Sequence, residues 1–141
     1  LGLASGGEMV TTRTNVAPTV PGVAGASVQG FTYSVPGRGR PAPAFRLSGA
    51  TESRHDGAPG DKLRSIVEQL EARMAELGVR WEDATAVVVY GPDAAAGALP
   101  GVLPALGAAG LHGLTWMPSR PPISDAEFEI DAAGVGTEIV L

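Results

Sequence analysis

Residues 61–77 carry the strongest periodic signal in the chain. Leu63, Ile66, Val67, Leu70, Met74 and Leu77 recur at the i, i+3, i+4, i+7 spacing of an amphipathic helix. Lys62, Arg64, Glu68, Glu71, Arg73 and Glu76 take the opposite face in this reading. Pro59 and Asp61 suit the start of the helix, and Gly78 suits a left-handed stop. A single apolar stripe predicts a helix packed on one face of a sheet.

Elsewhere the period is two. Phe31, Tyr33 and Val35 alternate with polar residues, and Phe45 and Leu47 alternate with Arg46 and Ser48. The Pro- and Gly-rich loop between these runs, residues 36–43, makes them a predicted hairpin. Residues 52–60 read as a polar loop. The β-branched run at 85–90 predicts a central strand, ended by Gly91, Pro92 and Asp93. Residues 94–110 are rich in Ala, Leu and Gly, with Val102, Leu103 and Leu106 at helical spacing and Pro100 at a first turn. They predict a second, weaker helix, diluted by five glycines between 97 and 113. Residues 111–117 predict a strand or the approach to one. Residues 127–131 alternate strictly, with Phe128 and Ile130 on one side and Glu127, Glu129 and Asp131 on the other. A last strand is expected at 137–141.

This order predicts an α+β fold, a mixed sheet with two helices packed on one face. A crossover through a helix gives parallel neighbours. The uncovered sheet face predicts an oligomer interface. Residues 1–17 are expected to form a flexible segment ahead of a single domain at 18–141.

Composition narrows the function. The chain has 141 residues, 44% of them hydrophobic, enough for one domain with a real core. A net charge of −5 argues against nucleic-acid or anionic-membrane partners. No apolar run reaches the ~20 residues of a membrane span, and the first residues lack a leader pattern. A cytoplasmic protein is the expectation. The absence of cysteine excludes disulfides, thiolate metal sites and thiol nucleophiles. Residues 1–54 hold five arginines against two glutamates, a balance of +3, whereas residues 55–141 stand at −8. The basic half either reflects surface drift or supplies arginines to an anionic small molecule.

His55 and His112 stand apart and alone, a poor basis for a metal site. No GxSxG occurs, and the glycine-containing stretches at 25–30 and 36–41 lack the spacing of a phosphate cradle. Two features remain. Arg120 lies between Pro118-Ser119 and Pro121-Pro122 and is the sole Lys or Arg after Arg80. Held by prolines, its fork is preordered for a carboxylate; a structural ion pair with Asp125 or Glu127 is the alternative. The acidic face at 127–131 offers a carboxylate to activate water, or is simply solvated.

Several stretches resemble the RidA/YjgF/UK114 family of enamine/imine deaminases. Residues 77–93 resemble the family signature AGxxxxDVVKxTVYLxD without a gap. Ala44–Ala50 is similar to its LFVSGQ strand, Pro118–Arg120 to its PxRS element and Glu129–Ala132 to its EIEA strand. Residues 25–30 resemble GPYSQG. The resemblance spans roughly residues 18–141. It implies a chorismate-mutase-like fold and a homotrimer with clefts between subunits. Ser27 replaces a frequent Tyr, Pro122 stands where Cys is common, and the Arg120–Glu129 segment is several residues short. Residues 112–122 look closer to a divergent branch that includes 2-aminomuconate-type deaminases.

The resemblance implies hydrolysis of a 2-imino or 2-enamino carboxylate to the 2-oxo acid and ammonia. In that reading Arg120 grips the carboxylate and Glu129 orients or deprotonates water. Gly49 contributes backbone groups, and Ser27 and Pro122 border the substrate. Arg46 or Arg54 is the expected second cation for a dicarboxylate, or a plain surface residue. Trp116 either lines the cleft or serves packing. No metal or organic cofactor is required, because an imine is already electrophilic. The alternatives are a non-catalytic trimer that binds small carboxylates, or a family member recruited to a biosynthetic tailoring step.

Overall fold

The computed structural model describes residues 4–5, 8–9, 30–33, 43–53, 56–121 and 125–135. Ser27, Arg54, His55, Pro122 and the expected strand at 137–141 lie outside the described residues, as does most of the segment 1–17.

Two short strands, β1 (Ala4–Ser5) and β2 (Glu8–Met9), pair antiparallel with each other. The main sheet contains β3 (Gly30–Tyr33), β4 (Ala44–Thr51), β5 (Ala86–Gly91), β6 (Thr115–Pro118) and β7 (Glu129–Gly134). Its order is β3-β4-β7-β5-β6. The expected hairpin is present: β3 pairs antiparallel with β4, Gly30 opposite Leu47 and Tyr33 opposite Ala44. The sheet is mixed as expected, since β5 and β6 run parallel while β7 is antiparallel to both β4 and β5.

The position of β7 follows from chain connectivity. A helix joins β4 to β5, so these strands run the same way and leave a gap between them. The late strand β7 fills that gap from the other direction. Consequently β4, β5 and β6 end where β7 begins.

Helix α1 (Pro59–Glu76) matches the apolar stripe, with Pro59 in the first turn and Gly78 at φ +68° just beyond its end. Leu63, Ile66 and Leu70 are fully enclosed, each contributing about 1.5–3 kcal/mol of apolar burial. They join Phe45, Leu47, Val87, Val89, Phe128, Ile130 and Ala132 in one apolar cluster. The inward strand residues fall on alternate positions, so they define one core face of the sheet.

Two expectations need correction. Residues 93–112 do not form an α-helix. They form 3-10 segments at Asp93–Gly101 and Leu103–His112, with Gly107 turned to φ 51° inside the second. Pro100 and Pro104 remove two backbone donors, and the glycines weaken the ladder that a regular helix needs. The segment still places Ala95, Val102, Leu106 and Ala109 in the core cluster. Second, Lys62 is not on the solvated face of α1 but is 6% exposed. Among the described residues, no single helix is long and apolar enough to cross a membrane.

Candidate active site

The converging strand ends create the site. Tyr90 of β5 pairs with Glu129 on one side and with Met117 of β6 on the other. Glu129 and the Pro118-Ser119-Arg120 turn therefore lie at the same end of the sheet, one strand apart. The turn is drawn tight by a Ser119 N–H donated to the Met117 carbonyl at 2.7 Å.

Glu129 opens β7 and is 5% exposed. Its neighbour in register is Thr51, and the ladder between β4 and β7 slips between Leu47 and Ala50. Ala50 and Ile130 share the core face, so Gly49, Thr51 and Glu129 point to the opposite one. The Glu129 carboxylate packs directly over Gly49, where a β-carbon would overlap it. The structure thus brings together Gly49 and Glu129, two residues singled out in the sequence.

Arg120 is largely exposed, its side chain 65% accessible. Its Nη2 lies 3.9 Å from Glu127 Oε1. The other oxygen of that carboxylate, Oε2, accepts a 2.7 Å hydrogen bond from Lys62 Nζ. Glu127 therefore departs from the expected alternation. It precedes β7 and reaches toward the start of α1, because the strand geometry begins only at Glu129.

A buried carboxylate holds this arrangement from beneath. Glu52, 3% exposed, accepts the Glu127 backbone N–H at 2.5 Å and that of Phe128 at 3.0 Å. A carboxylate is tolerated inside a protein when hydrogen bonds replace its water. Here the bonds fix the backbone two residues ahead of Glu129. Sequence reasoning missed Glu52, which sits in a run of polar residues indistinguishable from a loop. Lys62 did carry a signal: it lies four residues before Ile66 and eight before Leu70, on the buried ridge.

The structure separates the remaining candidates. Arg46 is exposed on β4 opposite Ala133, five residues before Thr51 and so roughly 16 Å from the site end along the strand. Trp116 packs against the core cluster, and a β-carbon on Gly91 would meet its ring and that of Phe128, each at 2.7 Å. It thus serves packing on the core side, whereas Glu129 faces the opposite side. No group of three or more potential metal ligands forms among the described residues.

The hydrogen bond from Lys62, reinforced by the charges of Lys62 and Arg120, holds the Glu127 carboxyl below its ordinary range, against a smaller opposing effect of burial. A carboxylate with a lowered folded pKa stabilises the fold above its unfolded pKa and loses that contribution as pH falls through the folded value. The melting-temperature difference between wild type and Glu127→Gln is therefore expected to be largest near neutrality and to shrink below about pH 4. Melts followed by circular dichroism across pH check this. A difference that stays constant into acid would remove the Lys62–Glu127 contribution.

Comparison with known proteins adds three findings. Residues 1–139 match the family model described as 2-aminomuconate deaminase CnbZ. A 2-amino-5-chloromuconate deaminase of Comamonas testosteroni is 32% identical over 146 residues, covering 92% of this chain. The chain spans only 58% of that relative's length. Among solved structures, a putative endoribonuclease from Thermotoga maritima is similar at a TM-score of 0.59 and 17% identity, covering 93% of this chain and all of that one. A YjgF/YER057c/UK114 family member from Mycobacterium tuberculosis is similar at a TM-score of 0.54 and 19% identity, covering 67% and 80%. At these identities the solved structures speak for the fold.

Proposed function

Because the chain belongs to the 2-aminomuconate deaminase CnbZ family, we propose that it releases ammonia hydrolytically from a 2-enamino or 2-imino carboxylate of the aminomuconate kind. The observation that carries this reading is the register at Tyr90, which sets a buried carboxylate and an exposed guanidinium at one end of the sheet. The 32% identical deaminase supports the substrate class.

In this mechanism Arg120 binds the carboxylate next to the C=N carbon through two parallel hydrogen bonds. The enamine tautomerises to the imine. Water, its proton passing to Glu129, adds to the imine carbon, and the C=N bond becomes a C–N single bond. Protonated on nitrogen, the carbinolamine expels ammonia as its hydroxyl proton is lost and the C=O bond forms. The balance is one imine and one water in, one 2-oxo acid and one ammonia out. Fixing the carboxylate restricts water to one approach, the kind of positioning that lowers a barrier without a metal or organic cofactor. The reading includes a homotrimer with clefts between subunits, and a monomeric mass by sedimentation velocity would remove that part.

Ammonia release from 2-aminomuconate generated in situ tests the reaction. Wild type is expected to exceed the buffer rate, and Arg120→Ala to lose about 10²–10³-fold in kcat/KM, corresponding to a lost charge-assisted pair. No acceleration by wild type would sink the deaminase reading. Normal kcat/KM in the Arg120 variant would sink the role of Arg120 alone.

A further inference from the structure

Arg120 has a competitor within its own chain. The Glu127 carboxylate is the same chemical group as the one a carboxylate substrate presents, and it lies 3.9 Å from the guanidinium. Tethered groups compete at high effective concentration, so an unrestrained carboxylate there would occupy the arginine. The observed distances show a division of labour. Glu127 Oε2 is 2.7 Å from Lys62 Nζ, a full hydrogen bond, whereas Glu127 Oε1 is 3.9 Å from Arg120 Nη2, beyond hydrogen-bonding reach.

The surroundings make this preference durable. The Lys62 side chain is only 7% exposed and that of Glu127 34%, so their bond is partly shielded from water, whereas Arg120 remains 65% exposed. Glu52 holds the Glu127 and Phe128 backbone N–H groups, so Glu127 moves toward Arg120 only by turning its own side chain. Burying the ammonium has its own cost, which the carboxylate offsets. Nothing about helix formation requires a lysine at this position of the buried ridge.

We propose that Lys62 is a positioning residue that draws the Glu127 carboxylate away from Arg120, leaving the guanidinium open to the substrate carboxylate. The proposal rests on the deaminase reading for the identity of the substrate. It assigns Lys62 no contact with the substrate. Its effect is exerted through Glu127 and appears in binding, not in the chemical step.

The test uses steady-state kinetics with 2-aminomuconate on four proteins, wild type and three variants. Lys62→Met is expected to raise KM about tenfold with kcat within about twofold, the signature of lost uniform binding. Lys62→Arg keeps the charge and is expected to stay near wild type. The double variant Lys62→Met/Glu127→Gln removes the competitor as well and is expected to return KM to within about threefold of wild type. Circular dichroism melts establish that each variant is folded. An unchanged KM in folded Lys62→Met would overturn the proposal. So would a double variant as weak as the single one, because removing the competing carboxylate would then have failed to free Arg120.

Inactive wild type would point to failure of the deaminase reading rather than of this proposal. The same variants are then compared by NMR titration with 2-oxobutanoate, a non-reacting carboxylate. The same order of dissociation constants supports the proposal, and equal constants, or no binding by wild type, overturn it.

Discussion

Replacing Glu129 by Gln is expected to lower kcat for ammonia release by about 10²–10⁴-fold, the usual contribution of a positioned general base, with little change in KM. Glutamine keeps the length, the volume and one acceptor oxygen, so the fit over Gly49 survives. It cannot accept a proton from water at neutral pH. The expectation depends on where Glu129 sits: at the head of β7, 5% exposed, at the sheet end shared with the Arg120 turn. In the proposed mechanism the substrate carboxylate is held by Arg120 whether or not residue 129 is ionised, so KM is expected to report on a different group. If folded Glu129→Gln retains kcat within about threefold of wild type, Glu129 is not the base.

Gly49→Ala is expected to harm stability and activity together. A β-carbon at 49 would overlap the Glu129 carboxylate, so either β4 shifts or the side chain leaves its place. Overpacking of this kind costs about 1–3 kcal/mol, a fall in melting temperature of roughly 3–10 °C for a chain of this size. A carboxylate displaced by even 1 Å from its working position loses about 100-fold in rate. The pair Gly49→Ala and Glu129→Ala separates this overlap from a general weakening of the strand. Removing the long side chain creates room for the new methyl, so the double variant is expected to be more stable than the sum of the single effects implies. Strict additivity would place the cost of Gly49→Ala elsewhere in β4.

Local sequence predicted much of the scaffold because local physics governs it. The alternation at 44–47 and the β-branched run at 85–90 became β4 and β5, and the stripe from Leu63 to Met74 became α1. Arg120 and Glu129 stood out by pattern as well as by resemblance: an arginine among prolines and an acid on an alternating strand. The 93–112 segment illustrates the limit of the periodic signal. Spacing alone favours a helix there, but the prolines and glycines leave too few regular backbone bonds, and 3-10 turns bury the same apolar residues instead.

The site was harder to read because its parts interact across long stretches of chain. Glu52 and Phe128 are 76 residues apart and Lys62 and Glu127 are 65 apart. The partner of each charge stays hidden until the strands are ordered, even where, as at Lys62, the helical spacing already points inward. Arg46, attractive as a second cation by charge alone, falls on β4 far from the site end. Trp116 alternates onto the core face. Both outcomes follow from register, which the sequence of one strand does not contain.

By itself, then, the sequence determined the amphipathic helix, the hairpin, the alternating faces and the chemical types available, since each depends on residues near one another along the chain. Only the tertiary structure decided that β7 enters between β4 and β5. That insertion brings the start of β7 to the ends of three other strands and to the first turn of α1. It turns Glu52 into a backbone clamp, gives buried Lys62 its carboxylate and seats Glu129 over a residue with no side chain. The physical reason is that burial of an ionised group is affordable only where a distant part of the chain supplies its partner.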